Sequence, residues 1–197
     1  MFRLAIVFAY VAAFVLLGYE VGAQEYRIFI HPTSKVTVFG STNVNTFKFE
    51  YTEEISIDRP VRVTMKDGVL RLSGGMINLK VRAFDSGNGI MNKDFRKMLL
   101  EEENPFIQVE LQALMPTWQP NEGWQEGKAE ITININQVVK RYTVNCKVEN
   151  PGSLLIYGKQ RVLLTDFGLV PPVRMMGMVK VSEYVDLDFA LRFATDR

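Results

Sequence analysis

MNKDFRKMLLEEENPFIQVELQAL, residues 91–114, carries two periodicities in succession, and the rest of the chain is read outward from it. Phe95, Met98 and Leu99 stand at i, i+3 and i+4, on one face of a short helix. Asn92 is the candidate N-cap, and Asp94 falls in the first turn, where a carboxylate suits the helix dipole. The acidic run Glu101, Glu102 and Glu103 would sit at the unfavourable end of that dipole, so the helix is expected to stop before it. Pro105 biases Asn104 away from helical backbone, and from Ile107 the period becomes two: Ile107, Val109, Leu111 and Ala113 alternate with Gln108, Glu110 and Gln112. A helix leads straight into a strand, and the pair is expected to close one end of a β-barrel.

Period two dominates elsewhere. Phe47, Phe49 and Tyr51 alternate with Lys48, Glu50 and Thr52; Ala129, Ile131, Ile133 and Ile135 alternate with Glu130, Thr132 and Asn134; Tyr142, Val144, Cys146 and Val148 follow beyond a hairpin at residues 136–139. Val185, Leu187, Phe189, Leu191 and Phe193 make the most regular series of all. Shorter strands are expected at residues 26–30, 35–39 and 154–165, with a weak one within 55–65. Leu70 and Leu72 are even, whereas Ile77, Leu79, Val81 and Ala83 are odd, so the inward phase flips across Gly74-Gly75, as a β-bulge would make it do. Residues 85–89, DSGNG, form a turn into the helix, and residues 115–127, with Trp118 and Trp124, read as a long loop. The fold class is therefore all-β with one short α-helix, arranged as an antiparallel β-barrel. Alternation alone fits both an apolar interior and a lipid-facing exterior. Scattered aromatics, and charged residues such as Lys128, Glu130, Asp186, Asp188 and Arg192 on the polar faces, favour water outside.

Arg3, the uncharged apolar run 4–17 and Val21-Gly22-Ala23 together read as a secretory signal, residues 1–23, cut before Gln24, with residues 24–197 as one barrel domain. The alternative is a membrane anchor, for which about 20 apolar residues are needed. A signal implies a periplasmic or secreted product. Lys plus Arg number 23 against 22 Asp plus Glu, so no electrostatic footprint for nucleic acid is present. The single cysteine, Cys146, cannot form an internal disulfide.

Catalytic chemistry is hard to assemble from these residues. His31 is the only histidine, and nothing in the spacing places a serine and an acid beside it; before Pro32 it reads as a solvated strand end. No metal-binding motif is present, Cys146 lies on an apolar strand face, and Asp166-Phe167-Gly168 lacks the other kinase motifs and reads as a turn. No catalytic residue, metal ligand or cofactor is assigned.

Four pieces carry a resemblance: GSTNVNTFKFEY (40–51), MNKDFRKMLLEEENPFIQVEL (91–111), GKAEITININQVVKRYTV (127–144) and TDFGLVPPVRMMGMVKVSEYVDLDFAL (165–191). In this order they resemble the YceI-like family of exported proteins. The resemblance implies a lipocalin-like barrel and a polyisoprenoid or other long amphiphilic, fatty-acid-like lipid in its cavity. The chain departs from that pattern near its start, where an aspartate and histidines are expected and HPTSKVTVFG (31–40) stands instead, which suggests a divergent branch.

The expected cavity lining is Ile131, Ile133, Ile135, Tyr142, Val144, Leu187 and Phe189, with Met175, Met176 and Met178 after Pro171-Pro172 at the mouth. The same residues could instead fill a solid core. The expected partners are a lipid ligand and, in addition, a transient membrane contact or an envelope protein, and the oligomeric state stays open, a dimer included. A filled barrel that binds another protein through the 115–127 loop is the second reading, and an enzyme acting on a held lipid is the third. The helix, tethered by turns at Gly89 and Asn104-Pro105, is also a candidate gate.

Overall fold

The computed structural model describes residues 21–26, 28–58, 61–66, 69–116, 124–149, 154–174 and 178–195. In chain order the elements are β1 (Val21–Tyr26), β2 (Ile28–Ile30), β3 (Lys35–Ser41), β4 (Thr46–Tyr51), β5 (Val61–Lys66), β6 (Val69–Ser73), β7 (Met76–Lys80), β8 (Phe84–Asp85) and the helix α1 (Gly89–Met98). There follow β9 (Phe106–Pro116), β10 (Trp124–Ile135), β11 (Val138–Glu149), β12 (Leu154–Leu163), β13 (Val173–Arg174), β14 (Val179–Lys180) and β15 (Tyr184–Thr195). The expected cut before Gln24 falls within β1, which pairs with β5.

Thirteen strands form one antiparallel sheet in the order β1-β5-β6-β9-β10-β11-β12-β15-β3-β4-β8, with β2 also on β15 and β7 also on β9. The sheet curls into a half-barrel whose two edges are joined by the chain itself. From β7, paired with β9, the chain passes through a 3-10 turn, Val81–Ala83, into β8, paired with β4. Thr52 fastens this seam: its backbone N–H and its Oγ1 both donate to the Ala83 carbonyl. The apolar phase points inward, with Ala129, Ile131, Ile133 and Ile135 of β10 all buried. Outward side chains carry ion pairs instead, Lys159 to Asp188 at 2.7 Å and Arg161 to Asp186 at 2.8 Å. Water therefore faces the polar side, as the charged outer positions imply.

Two irregularities set the curvature. Gly74 and Gly75 have φ of 77° and 80°, a left-handed backbone that favours glycine, and Leu70 and Leu72 before them and Ile77 and Leu79 after them all turn inward. The phase flip read from the sequence is thus a real break, with both halves laid along β9. The partner strand has its own break. Glu130 faces Ala113 but the next residue, Ile131, faces Leu111, so Gln112 is an extra residue and Leu114 enters the core in register with Leu70 and Ala129. The simple alternation expected through Ala113 breaks here: Ala113 is buried, and a one-residue bulge brings Leu114 into the core as well.

Other boundaries move less. The ladder between β9 and β10 runs on to Met115 with Lys128 and Pro116 with Gly127, so both ends of the expected 115–127 loop are strand; Trp118 lies outside the described residues. The 136–139 hairpin is a two-residue turn, Asn136 and Gln137, both at positive φ. At the helix, the cap is Asn88 and not Asn92: Asn88 Oδ1 accepts from the N–H groups of Ile90 and Met91 at 3.0 and 3.2 Å. Asn92 ties down the entry turn, accepting from Ser86 and donating to the Asp85 carboxylate. The helix ends at Met98, ahead of the three glutamates, as the dipole requires.

Candidate functional site: an apolar chamber under the helix

The helix roofs a chamber. Phe95 is 8 % exposed and sits between aromatic rings of the sheet, stacked on Phe49 at 4.4 Å between ring centroids and tilted against Phe84 at 5.6 Å. Phe47 meets Phe49 edge-on at 5.8 Å. Beneath this roof lies a cavity of about 460 Å³, within the range of small-molecule sites. Met91, Phe95, Met98 and Leu99 line it from the helix, Phe47 and Phe49 from β4, and Pro172, Val179 and Val181 from the segment that carries β13 and β14. Its polar side chains are Thr42 and Asn45 from the turn between β3 and β4, Asn88 from the helix cap and Asp94 from the second turn of the helix. The polar groups thus come from loop and helix, while the strands supply only hydrocarbon.

Val38, Ile107, Ile135 and Leu187 belong both to this chamber and to a second, narrower cavity of about 100 Å³ deeper in the barrel. The inner cavity is walled by Ile131, Ile133, Val109, Leu191 and Phe189, with Gln160 its sole polar side chain. The tip of the Phe189 ring covers Gly158, across the β12–β15 ladder, where any Cβ would overlap it; the tip of the Phe47 ring covers Gly40 beside the outer chamber. A larger depression, about 990 Å³, is on the outside of the sheet among Lys35, Lys128, Lys147 and Lys159. Its exposed charged lining would be costly to dehydrate against an apolar ligand.

The expected lining residues separate into four groups. Ile131, Ile133, Ile135, Leu187 and Phe189 wall the cavities. Tyr142 and Val144 point inward but pack in the core and line neither chamber. The reason is that β11 stays paired with β12 only from Cys146 to Glu149, and the 3-10 turn Leu164–Phe167, with fully buried Phe167, packs against β11. Met178 is 69 % exposed at the mouth, and its carbonyl accepts from Asn43 Nδ2 at 2.9 Å. Met175 and Met176 lie outside the described residues.

Groups with reactive chemistry are dispersed. His31 is exposed in the turn before β3, where its Nδ1 is 2.9 Å from Thr33 Oγ1. Cys146 is buried in the core, and burial pushes its thiol up to about 11. Burial, with the nearby Asp166 carboxylate, also raises Tyr142, whose hydroxyl is buried with no hydrogen-bond partner among the described residues. No grouping of three or more His, Cys, Asp or Glu suited to a metal ion occurs among the described residues.

No family model matches the sequence, and no curated protein matches it. Solved structures do. A polyisoprenoid-binding domain from Saccharophagus degradans, implicated in plant cell wall breakdown, superposes with a TM-score of 0.63 at 11 % identity, over 87 % of this chain and 99 % of that one. The chain has the YceI-like fold. BcnA of Burkholderia cenocepacia matches with a TM-score of 0.55 at 15 % identity over 82 % of this chain and 96 % of its own. The Campylobacter jejuni YceI protein matches with 0.50 at 10 % identity over 73 % and 85 %. In this YceI-like barrel the sequence signals that would have completed the site are uneven. Phe47 and Phe49 stand in a visible alternation, whereas Val179 and Val181 belong to a two-residue strand and its flank and have no period to announce them.

Proposed function

We propose that this YceI-like protein binds a long-chain amphiphilic lipid, of isoprenoid or fatty-acid type, in the chamber under α1, and that it carries or stores that lipid in the cell envelope after export. The observation that supports this best is the division of the chamber lining: the strands supply only hydrocarbon, and the polar side chains, Thr42, Asn45, Asn88 and Asp94, all come from the β3–β4 turn and the helix. An amphiphile placed with its tail toward Leu187 and Ile135 keeps its polar end at those four residues. About 15 buried methylenes at about 0.8 kcal/mol each contribute roughly 12 kcal/mol gross, against association and ordering costs of several kcal/mol. The name of the Saccharophagus degradans domain supports the same ligand class.

Native mass spectrometry and solvent extraction of protein purified from its own host test the proposal. A lipid in stoichiometric amount is expected, and it should be displaced in Leu187→Trp, where an indole occupies the neck between the chambers. Protein that carries no lipid, and takes up none from a fatty-acid or polyprenol mixture, would sink it.

A further inference from the structure

Apart from Val139 at the start of β11 (60 %), the five most exposed large apolar side chains among the described residues are Val170 (81 %), Ile90 (69 %), Met178 (69 %), Val44 (68 %) and Val173 (57 %). They come from three separate segments, yet each stands within two residues of the chamber lining. Val44 is between Thr42 and Asn45, Ile90 between Asn88 and Met91, Val170 and Val173 on either side of Pro172, and Met178 beside Val179. Two of the segments are bonded together at the rim: Asn43 Nδ2 donates to the Met178 carbonyl at 2.9 Å, and the Lys180 N–H donates to Asn43 Oδ1 at 3.0 Å. Exposed apolar groups scattered singly need no explanation, but a ring of them at the opening of an apolar chamber does.

Charge gathers at the same end. Residues 42–45 and the first turn of α1, residues 89–92, carry none, and residues 168–181 carry Arg174 and Lys180 with no acid. Two basic residues and no acid give these rim segments a net charge of +2, where the whole chain has +1. Apolar side chains that can enter the headgroup layer, interspersed with cations, are the combination that holds a protein on an anionic bilayer.

From this we infer that the mouth of the chamber, formed by residues 42–45, the first turn of α1 and residues 168–174 and 178–181, docks on an anionic lipid bilayer surface and exchanges the bound lipid there. The inference rests on the proposed lipid binding. It gives the expected membrane contact a place at the helix end of the barrel.

Co-sedimentation of the full chain with phosphatidylglycerol vesicles and with phosphatidylcholine vesicles is the test. Sedimentation with phosphatidylglycerol, weaker sedimentation with phosphatidylcholine and loss of binding as salt is raised are expected. The triple variant Ile90→Ser, Val170→Ser, Met178→Ser should bind phosphatidylglycerol about tenfold more weakly, since binding scales with the apolar area inserted. Its melting temperature and the lipid it holds by native mass spectrometry should stay unchanged, because the three side chains face water. A wild type that remains in the supernatant with both vesicles, or a triple variant that binds as the wild type does, overturns the inference; a protein partner for the rim would then be the better occupant. A chamber without lipid alongside intact vesicle binding would overturn the proposed function and leave the docking surface standing.

Discussion

The inner and outer chambers share four residues but are made by different means. The inner cavity is walled mainly by strands, in which every second side chain enters a confined space, and about 100 Å³ remains between them. The outer chamber has sheet on one side only. Its other walls are a ten-residue helix and a segment whose two strands are two residues each, and about 460 Å³ is left. Where ladder pairing runs uninterrupted, side chains close the space. Where it gives way to a helix seated by a few rings, room persists, and this is the end at which polar side chains can line the wall without leaving the strands unpaired.

If the outer roof depends on few contacts, removing one should open it. Phe95→Ala deletes the ring stacked on Phe49 and tilted against Phe84 and leaves a hole joined to the chamber; about 3–5 kcal/mol of stability should be lost. Denaturant unfolding measures this. Hydrogen exchange in α1 should rise more than in β10. An equal rise in both would mean that roof and wall unfold as one unit, and the helix would then be a lid without independent movement, not the gate considered from the sequence.

Glycine substitutions sharpen the comparison from the side of space. In Gly158→Ala the new methyl overlaps the Phe189 ring, which has little room to retreat in the inner cavity, and overpacking should cost about 1–3 kcal/mol. In Gly40→Ala the displaced ring is Phe47, which borders the roomier chamber and can swing into it. The second variant should therefore be the less destabilised in thermal melting, yet lose more lipid affinity. The reverse order would mean that the outer chamber is the more rigid of the two.

The same division governs what could be read from the sequence. Ile131, Ile133, Ile135, Leu187 and Phe189 were legible because a strand's period of two says which face a residue occupies. Phe95, Met98 and Leu99 were legible from the helical period. Alternation says nothing about depth, which is why Tyr142 and Val144 were expected in the cavity although the Leu164–Phe167 turn packs against their strand. Nor does it register a bulge on its own. Gln112 adds one residue without changing composition, and both Ala113 and Leu114 are apolar, so either phase fitted. The part of the outer chamber lined by Pro172, Val179 and Val181 has no repeat at all, and only tertiary structure brings it together with the helix.

The smallest expected effect concerns how the roof is held at its entry. The Asp85 carboxylate accepts from Asn92 Nδ2 and from the Gly87 N–H, and these bonds, the Asn92 one first, hold its carboxyl below the usual aspartate range. A folded-state value lower than the unfolded one contributes stability that is present above the unfolded value and lost as pH falls through the folded one. Asp85 is fully exposed, so the contribution is small. Asp85→Asn keeps the shape but cannot titrate. Its melting temperature should lie slightly below the wild type's near neutral pH, and the gap should close as pH falls below the usual aspartate range and the wild-type carboxyl protonates. Exchange at the Gly87 amide, followed over the same range, should accelerate in the wild type relative to the variant. If instead the gap is constant with pH, the turn into α1 is held by Asn88 and Ser86 alone, and the roof is fixed at Phe95 and not at its entry.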